Sequence, residues 1–132
     1  AAGVTVGWIE YSDHGLDAYG SGFAASEDTI QKRPDLVRKF LKASYRGFEL
    51  AMANPEQAAD IMVKSFPTVD RAVALQQIRE IGELIVDAQV RDQGLGHLRD
   101  DRMRATANFV DKAFGLGGKV AAQDLYTNTL LK

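Results

Sequence analysis

The chain has 132 residues, 45% of them hydrophobic, which fits one domain with a core or a piece of one. Charged residues are 26% and the formal net charge is −2, with no basic run longer than a pair; this argues against the cationic stripe of a nucleic-acid surface and against a polybasic membrane patch. Having no cysteine, the chain can form no disulfide, thiolate nucleophile or Cys-ligated zinc, and no apolar run approaches the roughly 20 residues of a membrane span.

The chain opens on AAGVTVGWIEY, without an initiator Met or a signal peptide, and we expect a mature fragment or an excised domain. Residues 4–11 (VTVGWIEY) are β-branched and aromatic, with the start of an alternating pattern, and predict a strand. Ser12, Asp13, His14 and Gly15 form a turn cluster. Residues 18–26 are rich in small side chains, with Gly20 and Gly22 flanking Ser21, and predict a second strand. Glycines weaken a strand unless a backbone or ligand comes close, so this segment is the first place to look for a site.

From Ser26 the pattern turns helical. Ser26 is suited to cap a short turn led by Glu27 and Asp28. Pro34 then opens a helix in which Leu36, Val37, Phe40, Leu41, Ser44, Phe48, Ala51 and Met52 recur at helical spacing and predict one apolar face. Asn54-Pro55 ends that helix and opens a shorter one, with Ala58, Ala59, Ile61, Met62 and Phe66 as its apolar set. Thr68 is expected to cap a long helix through Val69, Val73, Ile78, Ile81, Leu84, Ile85 and Ala88. Residues 91–98 predict a loop by their two glycines. Asp100 and Asp101 start another helix, with Met103, Ala107, Val110, Ala113 and Phe114 inward and Gly115 as its stop. Residues 120–131 predict one short helix. The order is two strands, then about five helices. Two strands alone make a poor sheet, so these are expected to complete a sheet whose other strands are absent.

Tyr19 can stack on a planar ligand or donate a hydrogen bond from its hydroxyl; the alternative is a half-buried strand tyrosine packed under helices. Ser21 can hydrogen-bond a polar or anionic ligand, or serve as a small residue in tight packing. Trp8 and Glu10 alternate with Ile9 and Tyr11, so one strand face can offer a stacking surface and a carboxylate to a cleft. For a lone tryptophan the core is the competing reading. His14, beside Asp13, and His97 belong to no motif with ligand spacing and read as solvated turn residues. No Ser/His/Asp set, paired catalytic carboxylates or phosphate loop is present, and Gly115-Leu116-Gly117-Gly118 has no following Lys-Ser/Thr. No catalytic residue, metal ligand or cofactor is assigned.

The ordered series Tyr19-Gly20, RPDLVRKFLKASYRGFELAMANPEQAA, DRMRATANFVDKAFGL and Leu125-Tyr126-Thr127-Asn128 resembles the C-terminal part of NMT1/THI5-like substrate-binding proteins. The likeness runs from about Val4 to Leu131. These are solute receptors of ABC importers for nitrate, sulfonates, taurine and thiamin-pyrimidine precursors. The resemblance implies an α/β fold of the type II periplasmic binding class, with a solute held in the cleft between two lobes. Residues 1–132 are then one C-terminal fragment, with 1–25 supplying strands of the lobe sheet or crossover and 26–132 forming the helical region. Tyr19 and Ser21 become the leading ligand-facing positions, with Trp8 and Glu10 behind them. The implied partners are a small solute and an ABC permease, the implied location periplasmic or extracytoplasmic and membrane-anchored, and the fragment is expected to self-associate through exposed edges. The cluster Arg99, Asp100, Asp101, Arg102 and Arg104 can touch a permease or the other lobe, or be a solvated helix start with local ion pairs. Asp124, Tyr126, Thr127 and Asn128 read as a pin for the tail. Two alternatives stand beside the receptor. One is a pyrimidine-precursor synthase on the same fold, against which the absent cysteine-rich segment counts. The other is a helical protein-interaction domain.

Overall fold

The computed structural model of the protein describes Gly7 and residues 9–131, except the side chains of residues 88 and 89. Its regular elements are α1 (Glu27–Lys32), α2 (Pro34–Ala53), α3 (Pro55–Ser65), α4 (Arg71–Ile85), α5 (Ala88–Gln93) and α6 (Asp100–Phe114), with short 3-10 turns at Ser12–His14 and Ala122–Asp124. Two compact units divide the chain: Ala24–His97 with Asn128–Lys132, and Ala1–Phe23 with Leu98–Thr127.

In the first unit the prolines set the helix starts. Pro34 and Pro55 each occupy the first turn of a helix, where a missing N–H costs nothing because no intrahelical partner exists for it. Only Arg33 separates α1 from α2, and only Asn54 separates α2 from α3. The Ser26 hydroxyl accepts the Thr29 N–H at 3.2 Å and caps α1 as the sequence predicts. Thr68 does not cap α4. The Asp70 carboxylate does, accepting the Val73 N–H at 3.0 Å. Both are cap-type residues, and the acidic one lies where its oxygen reaches the free amides of the first turn. The predicted loop over 91–98 opens as helix: Asp87 accepts the Val90 N–H at 2.8 Å and starts α5, which runs to Gln93.

The most extensive helix contact is α3 against α4. Ala59 of α3 is fully buried and Ala74 of α4 nearly so, and methyl side chains at such positions let helix backbones approach. Charges lace the rim. Arg71 donates to Asp60 at 2.6 Å and to Glu56 at 3.0 Å, and Arg79 donates to Glu56 at 2.9 Å. The Arg71 hydrogen bond holds the Asp60 carboxyl below the usual carboxylate range. All these side chains are solvated, so the network orients the pair more than it stabilises it.

The predicted apolar face of α2 divides. Val37, Leu41, Ala51 and Met52 are half-buried, while Leu36, Phe40 and Phe48 remain exposed. In α4 the inward set is Ala74, Leu75, Ile78, Gly82 and Ile85, and the predicted Val73, Ile81 and Leu84 face solvent. The apolar arc of each helix is wider than the described neighbours can cover. Two glycines permit close approach here. A Cβ at Gly82 would touch Met52 Cγ at 3.4 Å, and one at Gly96 (φ +89°) would collide with the Tyr45 ring at 2.1 Å.

In the second unit neither predicted strand is found among the described residues. Residues 4–6 and Trp8, the body of the first, lie outside them; Gly7, Ile9 and Glu10 form no ladder. Residues 18–25 form no strand either, because a strand exists only through a ladder partner, and the Tyr19 N–H is instead donated to the Thr106 hydroxyl of α6 at 2.9 Å. The fold class observed is therefore helical over the described chain. Helix α6 begins and stops as predicted, with Gly115 in the left-handed region (φ +63°) returning its N–H to Asp111. Met103 is buried, but Val110 and Phe114, predicted inward, are exposed. The predicted tail helix reduces to the turn Ala122–Asp124, which packs on α6 through buried Ala122. Tyr126 donates its hydroxyl to Asp100 at 3.0 Å, and Arg104 pairs with the same carboxylate.

Candidate functional site

Tyr19 is the hub of the second unit. Its backbone N–H is held by Thr106, whose hydroxyl donates in turn to the Arg102 carbonyl at 2.8 Å. The Tyr19 hydroxyl accepts the backbone N–H of Arg99, the residue that precedes α6, at 2.9 Å. Over the ring sits the Arg102 guanidinium, 4.5 Å from the centroid, inside the range where the charge is attracted to the π-face. Arg102 is fixed from outside by Asp17: Nε lies 2.8 Å from Asp17 Oδ1, off the N–H direction, so the attraction is ionic and the buried Nε has no directed acceptor. Its Nη2 also reaches the Ala18 carbonyl at 3.4 Å. Arg99 forks onto Asp101 at 2.9 and 2.7 Å, and this bond, with the Arg102 N–H, draws the Asp101 carboxyl down to about 2.

Tyr19 is half-buried, with one ring face, the hydroxyl and the amide already engaged. Ser21 is exposed on the same extended segment. Glu10 is exposed and takes a 3.5 Å contact from the Ser12 hydroxyl; no bond joins it to Tyr19 or Ser21 among the described residues. Trp8 lies outside those residues. His14 is an exposed turn residue as expected, whereas His97 is half-buried after α5. No group of three or more metal-type side chains occurs among the described residues. No described helix is long and apolar enough to cross a membrane.

Sequence reasoning separated Tyr19 from the Arg99–Arg104 cluster and missed that they are one constellation. The partners lie 80 residues apart or more, and no periodicity carries that information. The helical unit offers a different opening, an open groove of about 610 Å³ lined by Met52, Ile78, Arg79, Gly82, Glu83 and Arg91. None of the predicted site residues borders it, and Arg79 is already paired with Glu56.

The NMT1/THI5 like family matches residues 1–58. Riboflavin-binding protein RibY of Chloroflexus aurantiacus is 32% identical over 111 residues, which is 82% of this chain and 32% of that protein. The chain therefore spans about a third of the length of the curated relative it matches. No solved structure matches it. The family and the relative's name point to the class of solute-binding proteins and away from enzymes. The chain belongs to the NMT1/THI5-like family.

Proposed function

We propose that this chain is part of the extracytoplasmic receptor of an ABC importer and that Tyr19 carries its solute contact. The observation behind this reading is Tyr19, its ring fixed at amide and hydroxyl and backed by Arg102, yet only half-buried on an NMT1/THI5-like segment. A ring so fixed meets a planar ligand without losing rotamer freedom on binding. Ser21 is the hydrogen-bonding neighbour, and Glu10 and Trp8 are the further contacts. No bond is made or broken; closure of two lobes on the solute precedes docking to a permease.

Within the substrate classes of the family, a planar heteroaromatic solute fits this segment better than nitrate, a sulfonate or taurine. An anion needs an uncommitted cationic donor, and the cations nearest Tyr19, Arg99 and Arg102, are already paired with Asp101 and Asp17. The riboflavin named for the relative is a ligand of that planar kind. Further partners under this reading are the permease and, for the isolated chain, a second copy meeting its exposed apolar side chains. The test is calorimetric titration of the intact protein with riboflavin, a hydroxymethylpyrimidine, taurine and nitrate. Binding of a planar solute supports the reading; heat only from taurine or nitrate, or from none, refutes it.

A further inference from the structure

We propose that Arg102 is the positioning residue of the Tyr19 contact: its guanidinium, anchored by Asp17, clamps one ring face so that only the other meets a planar solute. This rests on the solute-binding reading above and adds to it a residue that would touch no solute.

Three observations carry the inference. The first is geometric closure. Tyr19 is tied at its N–H by Thr106 and at its hydroxyl by the Arg99 amide, but these ties fix only the ends of the residue. Rotation about the axis joining them would still turn the ring plane. The Arg102 guanidinium, 4.5 Å from the centroid, removes that freedom. The second is that Arg102 is itself held on two sides, by Asp17 Oδ1 at 2.8 Å and by the Ala18 carbonyl at 3.4 Å. A long cationic side chain free in solvent would lose several rotamers to sit over a ring; this one has its position fixed by residues adjoining Tyr19. The third is register. Arg102 and Thr106 are one helical turn apart on α6, and the Thr106 hydroxyl returns to the Arg102 carbonyl at 2.8 Å. The two groups that hold Tyr19 therefore move together with the helix.

The charge is spent locally. Asp17 neutralises Arg102, so the clamp presents no net cation to the solute, in keeping with a neutral planar ligand. A planar fork also covers a ring face in a way an ammonium does not.

The experiment uses the intact protein and its Arg102→Gln, Arg102→Lys and Asp17→Asn variants, with riboflavin as the probe. Amide hydrogen exchange is read without ligand at Tyr19 and Arg99, with Val110 within α6 as the control for helix integrity. Riboflavin affinity and the fluorescence of the saturated complex are then read separately. Arg102→Gln is expected to speed exchange at Tyr19 and Arg99 at least tenfold with Val110 unchanged. It should weaken riboflavin binding at least tenfold and alter the flavin emission at saturation, because a rotated ring stacks differently. Arg102→Lys should fall between, and Asp17→Asn should move every readout the same way by less. Should Arg102→Gln disturb Val110 as well, the Lys and Asn variants carry the decision by the same criteria. Unchanged exchange at Tyr19, or affinity within twofold of wild type with identical saturated emission, overturns the proposal. A wild-type protein that ignores riboflavin refutes the flavin ligand and with it the solute role of Arg102, leaving any exchange effect as plain fold stability; a wild type that binds while the variants bind equally refutes Arg102 alone.

Discussion

Replacing Gly96 by alanine puts two separate costs on one atom. At φ +89° an L-residue pays a backbone penalty of about 1–2 kcal/mol, since its Cβ crowds the following carbonyl. The new Cβ would also lie 2.1 Å from Tyr45 Cζ and 2.2 Å from its Oη. Carbon contacts settle near ~3.5 Å, so the ring has to retreat by about 1.5 Å. Displacing a packed side chain costs about 1–3 kcal/mol. The total is then about 2–5 kcal/mol, with the lower end set by a ring that swings outward, because Tyr45 is only half-buried. Burial of Tyr45 also raises its phenol above the ordinary range, so a ring driven out should titrate closer to a free tyrosine. The assay is urea unfolding of the intact protein in a cycle of Gly96→Ala, Tyr45→Ala and the double variant. The Gly96→Ala cost should shrink to the backbone part, about 1–2 kcal/mol, once the ring is gone. A single-variant loss under about 0.5 kcal/mol, or an equal loss with and without Tyr45, would refute the close approach.

Three other outcomes follow from caps and charges. Asp70→Ala should destabilise the protein by about 1 kcal/mol in urea unfolding, and Thr68→Ala should not, since Asp70 alone caps α4. Arg71→Gln should return the Asp60 carboxyl toward the ordinary range in an NMR titration, with little change in stability because the pair is solvated. Asp60 and Asp101 both have folded values depressed below the unfolded one, so their stabilising contribution is full above about pH 4 and disappears as pH falls through the folded values, near 2 for Asp101. Urea midpoints measured between those limits should therefore fall with pH, and fall less in Asp101→Asn.

The helix starts and stops were legible because each depends on a residue and its immediate neighbours. Pro34, Pro55, Ser26 and Gly115 act through their own backbone angles or one adjacent amide, and all four stand where predicted. The start of α4 failed by two residues because Thr68 and Asp70 compete for one role, and the hydrophobic pattern does not choose between them. Helix α5 was hidden by Gly94 and Gly96, although Asp87 was its available signal. The inward faces of α4 and α6 depend on what packs against them, which periodicity alone does not specify: Leu84 and Phe114 fit the helical period and still face solvent. The strand over 18–26 failed for a related reason. Its small side chains and glycines describe a segment able to pair, while pairing belongs to the partner, and Thr106 has taken the amide. For the candidate site, Tyr19 was visible as an aromatic between glycines. Its clamp was not, since Asp17 and Arg102 look like ordinary surface charges until the fold joins them.

Arg33 and Asn54 are each the last cap of one helix and the first cap of the next, at nearly the same backbone angles (φ −136°, ψ 47° and φ −137°, ψ 66°). A joint one residue long has no slack. Inserting one residue there would turn the following helix by about 100° around its axis and carry Ala59 off the α4 contact. Inserted or deleted residues should therefore be tolerated only in longer connections such as 66–70 and 115–121, while 33 and 54 should admit substitution but neither insertion nor deletion. Those two joints act as fixed elbows that transmit the direction of each helix to the next.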